Sequence, residues 1–335
     1  MALNNSSIIY VTDYIEQPDL ELEVAAKFGF QIRSGNLLDE EKERVQGLLV
    51  WHQLVDERYL FQFPNLKAVV RYGVGFDNID LDFLNSVGMP FANTPDYGTD
   101  EVADTAVTML LCGVRGVTQY QRIVMDLSDG SWQENVIHSI KRTKSMTIGI
   151  IGLGRIGTSV ALKCRALGFG VSFYDPHLPS GIEKSLSLTR HRNLENLLAA
   201  SDVVTIHTPL SSSTEGLIDS NFLSQMKNGS VLINTARGGI LFDLNLIFEA
   251  LEVGRLSFAG LDVIPEEPLS NDHQQHPKML SLMQSGKLVI NPHTAYYSHE
   301  SFVEMRESST MNICRYLSGV EPLMNQIRSA AVVKL

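Results

Sequence analysis

The stretch TIGIIGLGRIGTSVALKCRALGFGVSFYDP, residues 147–176, decides the fold of this 335-residue chain. It opens with an apolar run, TIGII, passes through a glycine-rich turn, GLGRIG, and closes with a second apolar run, VSFY. The segment between the turn and the second run has the apolar spacing of a helix. A strand, a glycine turn, a helix and a second strand within about 30 residues form a βαβ unit with parallel strands. The stretch therefore predicts an open α/β sheet.

The turn has the G-x-G-x-x-G spacing of a dinucleotide-binding site. Its first glycine permits the tight turn, the second lets the backbone approach a pyrophosphate, and the third lets the helix pack closely on the strand. The helix N-terminus supplies unpaired N–H groups and a positive dipole for the phosphates. The predicted cofactor-binding residues of this turn are Gly152, Gly154, Arg155, Ile156 and Gly157.

An acidic residue, Asp175, follows the second strand, eighteen positions after Gly157. A carboxylate at this position accepts hydrogen bonds from the adenosine ribose hydroxyls and would repel a 2′-phosphate. No arginine follows at once in the segment DPHLPSG, residues 175–181. The sequence therefore predicts NAD rather than NADP. A methyltransferase that binds S-adenosylmethionine is a competing interpretation, although such enzymes usually lack the third glycine at this spacing.

Apolar runs alternate with amphipathic segments on both sides of this stretch, as they do in doubly wound α/β folds. The second part of the chain contains six predicted strands, at residues 147–151, 171–174, 202–207, 231–234, 258–263 and 288–291. The first part contains three predicted strands, at residues 7–12, 46–51 and 66–73, and helices at 19–29 and 80–88. We therefore predict two doubly wound parallel-sheet domains, a Rossmann-type NAD domain and a smaller flavodoxin-like domain.

A turn-rich segment, NTPDYG at residues 93–98, separates the two parts. A long helical pattern with an apolar face follows it, from about Asp100 to Leu127. A second helical pattern closes the chain after about residue 298, and such a terminal helix can return to pack on the first domain. We therefore predict a nucleotide domain at 95–298 and a discontinuous smaller domain at 1–94 and 299–335.

The composition argues against several classes of function. A net charge of -11 disfavours nucleic-acid binding, which depends on a basic surface. No apolar run reaches membrane-spanning length, and the N-terminus lacks the pattern of a secretory signal. The three cysteines are widely spaced, so they indicate neither a disulfide framework nor a zinc site. We expect a cytoplasmic protein without a bound metal that binds neither nucleic acid nor membrane.

Polar side chains follow three predicted strands of the second part. Arg237 comes after VLIN, Glu267 after FAGLDV, and His293 after LVIN. Because ligands gather at the carboxyl ends of the strands in such a sheet, we expect these side chains near the nicotinamide. Arg237 can bind a substrate carboxylate bidentately, and His293 can donate a proton to a developing alkoxide. Glu267 can orient the imidazole and favour its charged form.

Five segments, taken in order, resemble the motifs of the D-isomer-specific 2-hydroxyacid dehydrogenase family. They are RYGVGFDNID (71–80), GIIGLGRIG (149–157), NTARGG (234–239), LDVIPEEP (261–268) and NPHTAYYSHE (291–300). The resemblance covers nearly the whole chain. It is closest to the branch that contains the C-terminal-binding proteins, which are NAD-linked transcriptional corepressors. The resemblance implies that the Rossmann-type domain binds NAD and that the smaller domain binds the substrate.

The resemblance also implies roles for particular residues. It makes His293, Arg237 and Glu267 the catalytic set, with Glu267 preferred to Glu266 because the family glutamate directly precedes the proline. The implied substrate-binding residues are Arg71, Gly73, Val74, Gly75 and Tyr296, the last in place of a tryptophan of the corepressor branch. Further implied cofactor contacts are Thr208, Pro209, Thr235, Ala236 and Asp262.

Two functions follow from these observations. The first is an NAD-dependent D-2-hydroxyacid dehydrogenase, which transfers a hydride between NADH and C2 of a small 2-oxo acid. The alternative is an NAD(H)-responsive dimeric binding module, similar to the corepressors and weakly catalytic. The complete set of arginine, glutamate and histidine favours the enzyme. In the family the helix after the turn-rich link forms a dimer interface, so we expect a homodimer.

Overall fold

The computed structural model describes residues 7–13, 15–125, 132, 137, 140–270 and 274–328. The chain divides into two compact units, the first formed by Met1–Gly98 with Ser298–Leu335 and the second by Thr99–Tyr297. Residues 1–6 and 329–335, which belong to the smaller predicted domain, lie outside the described residues. No helix in the described ranges is both long enough and apolar enough to cross a membrane.

The strands are numbered in chain order. They are β1 (Ile8–Val11), β2 (Gln31–Ser34), β3 (Val45–Val50), β4 (Ala68–Arg71), β5 (Phe91–Asn93), β6 (Thr147–Ile151), β7 (Gly170–Tyr174), β8 (Thr189–Arg190), β9 (Val203–Ile206), β10 (Ser230–Asn234), β11 (Leu256–Leu261), β12 (Leu288–Ile290) and β13 (Gln326–Ile327).

The helices are numbered in the same way. They are α1 (Asp19–Ala26), α2 (Asp39–Lys42), α3 (Glu57–Leu60), α4 (Leu81–Ser86), α5 (Thr99–Arg115), α6 (Val117–Met125), α7 (Arg155–Ala166), α8 (Ile182–Ser185), α9 (Leu194–Ala200), α10 (Ser220–Gln225), α11 (Leu244–Glu252), α12 (His276–Gln284) and α13 (His299–Leu317). Short 3₁₀ helices cover Thr143–Ser145 and Gly238–Ile240.

The first unit is built on a sheet with the strand order β13-β5-β4-β3-β1-β2. Its five parallel strands follow the order 2-1-3-4-5 of flavodoxin-like folds, and β13 adds to β5 in the antiparallel direction. The predicted fold class of this part is confirmed. The sequence analysis missed β2, β5 and β13, because β2 is a half-exposed edge strand and the other two are only three and two residues long.

The second unit is built on a parallel sheet with the order β12-β11-β10-β9-β6-β7-β8. Within the unit this corresponds to 3-2-1-4-5-6-7, the Rossmann order with one further strand. All six predicted strands are present, and the fold class is confirmed. The predicted count of six is too small for the described residues, because β8 has only two residues and no apolar run to reveal it.

Two apolar clusters cover the two faces of the second sheet. One contains Leu197, Phe222, Phe248 and Leu282, from the helices α9 to α12. The other contains Ala106, Leu110, Val160 and Cys164, from α5 and α7. With helices on both faces, the strands are hidden from water on each side and only their ends remain open for ligands.

The predicted long helix from Asp100 to Leu127 is two helices. Gly116, at a φ of +63°, ends α5 in the left-handed conformation that glycine adopts without strain, and α6 begins at Val117. Leu127 lies outside the described residues. The apolar face of α5 packs inside the second unit, where Ala103 and Leu110 are completely buried. The helix pattern therefore reflects core packing, and the expected homodimer rests on the family resemblance alone.

Candidate active site

The glycine turn joins β6 to α7 at the carboxyl edge of the second sheet. Gly152 has a φ of +87°, and a Cβ added there would lie 2.7 Å from the His207 carbonyl oxygen. A Cβ on Gly157 would collide with the carbonyl of Gly152. A Cβ on Gly154 would have no described atom outside its own chain neighbours within 4 Å. Two of the three glycines are therefore required by packing, while the third leaves space beside the N-terminus of α7.

Asp175, at the end of β7, is bonded to the same turn. Its Oδ2 accepts a hydrogen bond from the backbone N–H of Leu153 at 3.0 Å, and its Oδ1 accepts one from His177 at 2.9 Å. The Arg190 side chain donates to the carbonyl oxygens of Asp175 and Leu178, both at 2.8 Å. The arginine holds this loop together instead of extending a charge toward a 2′-phosphate. The arrangement agrees with a preference for NAD.

Two buried hydroxyls at the carboxyl edge of the second sheet lack a hydrogen-bond partner among the described residues. They are the Oγ1 atoms of Thr208 and Thr235. The Thr208 side chain lies next to Gly152, since an added Cβ there would be 2.8 Å from its Cγ2. Leaving a buried hydroxyl unsatisfied costs about 1–3 kcal/mol. Polar groups of a bound dinucleotide would remove this cost, so the residues present fit NAD.

The remaining predicted cofactor residues lie at the same edge. Arg155 and Ile156 form the first turn of α7, Pro209 follows Thr208 after β9, and Ala236 follows Thr235 after β10. The Asp262 side chain is only 2% exposed, and its Oδ1 accepts hydrogen bonds from the backbone N–H groups of Thr294 and Ala295 at 3.0 and 2.9 Å. Burial raises the pKa of the Asp262 carboxyl.

His293 and Glu267 form a direct pair. The distance from His293 Nδ1 to Glu267 Oε2 is 2.8 Å, and a carboxylate can only accept, so the imidazole donates. Glu267 is itself fixed, because its Oε1 accepts a hydrogen bond from the backbone N–H of Ile264 at 2.6 Å. The backbone N–H of His293 donates to the Asp262 carbonyl at 2.9 Å. Nε2 is therefore the ring nitrogen that can face a substrate.

Arg237 lies in the turn between β10 and the 3₁₀ helix. Asn234 shapes this turn: its Nδ2 donates to the Arg237 carbonyl at 3.0 Å and its Oδ1 accepts from the Ala236 N–H at 3.0 Å. A Cβ on the next residue, Gly238, would collide with the carbonyl of Ile264. The backbone N–H of that same isoleucine binds Glu267. Close packing of the two turns thus brings the arginine, glutamate and histidine segments to one edge of the sheet.

The predicted substrate loop follows β4 in the first unit. Gly73 has a φ of +102°, and a Cβ added there would lie 2.5 Å from Arg71 Nη1 and 3.0 Å from the Tyr97 hydroxyl oxygen. Val74, the next residue, is 42% exposed. The Asn93 side chain donates to the Val74 carbonyl at 2.7 Å. The loop therefore places a guanidinium and a phenol beside glycine backbone, and a guanidinium is a group that can bind a carboxylate.

Tyr296 is half-buried and packs edge-on against Tyr297, with ring centroids 6.4 Å apart. Tyr297 is 57% exposed. The pair stands at the end of the second unit, directly before α13 begins. Both rings follow His293 closely in the chain, which gives this part of the site an aromatic character.

Comparisons with known proteins identify the family. Residues 107–295 match the model of the D-isomer specific 2-hydroxyacid dehydrogenase, NAD binding domain. The chain is 33% identical over 278 residues to a glyoxylate reductase of Korarchaeum cryptofilum, covering 81% of this chain and 80% of the relative. The chain belongs to the D-isomer specific 2-hydroxyacid dehydrogenase family.

Two further members of this family share most of the chain. A D-3-phosphoglycerate dehydrogenase of Archaeoglobus fulgidus is 32% identical over 321 residues, which is 96% of this chain but only 57% of that enzyme's length. A crystal structure of D-lactate dehydrogenase from Aquifex aeolicus, complexed with NAD and lactic acid, superimposes with a TM-score of 0.83 at 26% identity. That match covers 95% of this chain and 98% of the lactate dehydrogenase.

Family membership confirms the predicted enzyme class, an NAD-dependent 2-hydroxyacid dehydrogenase, and the NAD-binding domain. The roles of individual residues stay predictions. Three residues that contact predicted substrate or cofactor segments within their own units were not singled out from the sequence. Tyr97 lay in a segment interpreted only as a link, and Arg190 lies fifteen positions after Asp175. His207 lies behind Gly152, where burial lowers its pKa to about 3, so it is a neutral structural residue.

Proposed function

We propose that this chain reduces a small 2-oxo acid to the D-2-hydroxy acid with NADH, and catalyses the reverse oxidation with NAD. The observation that carries the proposal is the His293–Glu267 pair, bonded at 2.8 Å at the same sheet edge as the glycine turn. Bound NADH supplies the hydride that C2 of the substrate receives. The proton that completes the new hydroxyl comes from the protein.

Each residue of the pair has one task in this proposal. His293 donates its Nε2 proton to the oxygen that develops on C2, and recovers it in the reverse reaction. Glu267 accepts the hydrogen bond from Nδ1, so it fixes the ring orientation and leaves Nε2 to face the substrate. Glu267 can do this reliably because the N–H of Ile264 holds its other oxygen.

In this proposal two arginines bind the substrate carboxylate. Arg237 binds the carboxylate and polarises the neighbouring ketone, since a guanidinium presents paired donors to planar oxygens. Arg71 and the backbone of Gly73, Val74 and Gly75 bind the carboxylate from the loop after β4. Tyr97 joins them, because its hydroxyl shares the space over Gly73 with Arg71.

The decisive experiment screens a panel of 2-oxo acids for NADH oxidation, with the D- and L-hydroxy acids tested in reverse. Replacing His293 by Ala should lower turnover on the best acid by about 10²–10⁴-fold, because proton donation is lost. NADH affinity should stay within about twofold, since the glycine turn and Asp175 are untouched. His276→Ala, at the start of α12, is the matched control. Near-normal turnover of His293→Ala would make the histidine structural and overturn the proposed mechanism.

The corepressor branch remains a second proposal. It is supported by the sequence resemblance in the segments RYGVGFDNID and NPHTAYYSHE, where the chain nevertheless has Val74 in place of a serine and Tyr296 in place of a tryptophan. This proposal includes the homodimer and a cytoplasmic location. It predicts that NADH changes the oligomeric state, which sedimentation equilibrium with and without NADH would measure. An unchanged sedimentation profile combined with rapid turnover would leave only the enzyme.

A further inference from the structure

The first unit contains a buried ion pair that lies outside the predicted site. Glu21, on α1, is completely buried, and Arg306 comes from α13. Arg306 Nε donates to Glu21 Oε1 at 2.9 Å, and Arg306 Nη2 donates to Oε2 at 2.6 Å. Arg306 Nη2 also donates to the Gln17 carbonyl at 3.0 Å. Because a buried charge is costly unless it is paired and hydrogen-bonded, this geometry fixes α13 firmly against α1.

The third member of this network belongs to the substrate loop. Tyr72 is completely buried, and its hydroxyl donates to Glu21 Oε1 at 3.0 Å. Its chain neighbours are Arg71 and Gly73, and the Arg71 side chain lies next to Gly73. The Tyr72 side chain therefore anchors the middle of the loop to a buried carboxylate.

A second contact from α13 supports the same loop. Ser309 Oγ lies 2.6 Å from the Thr94 hydroxyl, and the backbone N–H of Thr94 donates to the Gly73 carbonyl at 3.1 Å. The loop is thus attached to α1 through Tyr72 and to α13 through Thr94. Glu21 lies 51 positions from Tyr72 in the chain, and Ser309 lies 215 positions from Thr94.

We propose that Glu21 and Arg306 are positioning residues for the carboxylate-binding loop Arg71–Gly75, and that they act through Tyr72. This inference rests on the proposed function. Backbone N–H groups recognise a carboxylate only if they are held in place, and a loop has few contacts of its own to hold them. The buried carboxylate supplies that hold, because its hydrogen bond to the Tyr72 hydroxyl is charge-assisted.

The test compares two tyrosine variants of the full-length protein. Tyr72→Phe removes the hydroxyl on Glu21 and leaves the Glu21–Arg306 pair intact. Tyr10→Phe is the control, because it too removes a tyrosine hydroxyl that is hydrogen-bonded in the first unit, to the Gly35 carbonyl at 2.7 Å. Tyr72→Phe should raise KM for the best 2-oxo acid about tenfold, the effect of losing a hydrogen bond to a charged group. Its kcat and its NADH Kd should change less than about twofold, since uniform substrate binding appears in KM alone.

A second variant guards against a folding defect in the first. Arg306→Lys keeps the positive charge but loses the bidentate contact with Glu21, and it should raise KM in the same direction. Unchanged KM in both variants would overturn the positioning role while leaving the proposed function intact. An equal rise in KM in Tyr10→Phe would also overturn it, because the effect would then be general destabilisation. If none of the 2-oxo acids in the panel supported NADH oxidation by the wild-type protein, the proposed function and this inference would both be overturned.

Discussion

Two glycine-containing loops follow parallel strands in this protein, one after β6 in the second unit and one after β4 in the first. The turn after β6 is held by near neighbours: Asp175 binds the N–H of Leu153, and the Gly152 carbonyl lies against Gly157. The loop after β4 is held by distant residues, through Tyr72 to Glu21 and Arg306. The turn after β6 is therefore a local motif, whereas the loop after β4 takes its shape from the rest of its unit.

The largest effect is expected at the buried carboxylate of the first unit. Glu21→Gln leaves the Arg306 charge without its partner, so the free energy of unfolding should fall by about 3–5 kcal/mol. Urea denaturation monitored by tryptophan fluorescence would measure it. Glu23→Gln is the control, because Glu23 pairs with Lys27 on the exposed side of α1 at 3.2 Å. If the free energy of unfolding of Glu21→Gln fell by less than 1 kcal/mol, the loop after β4 would not depend on this buried carboxylate.

Two glycine variants in the turn after β6 should distinguish an effect on packing from an effect on NADH binding. Gly157→Ala forces a Cβ against the Gly152 carbonyl, so it should cost about 1–3 kcal/mol of stability and also weaken NADH binding. Gly154→Ala has space for the methyl group and a φ of −75°, so stability should stay within about 0.5 kcal/mol. NADH titration should still show weaker binding in Gly154→Ala. Equal stability losses in the two variants would contradict the distinction between the two glycines.

A smaller effect is expected at Asp175. Asp175→Ala removes the carboxylate that would repel a 2′-phosphate and the bond to the Leu153 N–H. The ratio of kcat/KM for NADH to that for NADPH should fall by about tenfold, which corresponds to about 1.4 kcal/mol. Asp175→Asn separates the two causes, because it keeps the size of the side chain but removes the charge. An unchanged ratio in both variants would remove Asp175 from cofactor selection.

The smallest effect concerns alkaline pH. Burial, with the Glu21 charge as a second cause, holds the pKa of Tyr72 well above its usual value of 10.0. The folded state keeps this proton above pH 10, whereas the unfolded state releases it. The contribution of the Tyr72 hydroxyl to the free energy of unfolding is therefore complete below pH 10 and is lost as the pH rises further. Between about pH 10 and 11 the wild-type protein should lose about 1 kcal/mol more stability than Tyr72→Phe, because the unfolded-state tyrosine is already half ionised at pH 10. Parallel stability curves for the two proteins, measured in urea, would contradict this assignment.

The placements that could be predicted from the sequence are those that follow from the geometry of a βαβ unit or of a parallel sheet. The motif at Gly152–Gly157 and the acid at position 175 could be predicted because a βαβ unit places them together by its own geometry. The segments of Arg237, Glu267 and His293 could be predicted because strand ends converge at one edge of a parallel sheet. The split of the helix at Gly116 was missed, since a single glycine within a helical pattern is not by itself a stop.

The sequence by itself determined the α/β class, the dinucleotide turn and the polar residues at the strand ends, because strand and helix periodicity and turn chemistry are local properties. Only the tertiary structure decided that Tyr97 joins Arg71 over Gly73, that Arg190 holds the loop of Asp175, and that Tyr72 is anchored by Glu21 of α1. These contacts join segments that are apart in the chain, and no sequence pattern shows that the segments meet. Burial makes these contacts important for stability, because a charge or hydroxyl removed from water is costly unless the fold supplies a hydrogen-bond partner.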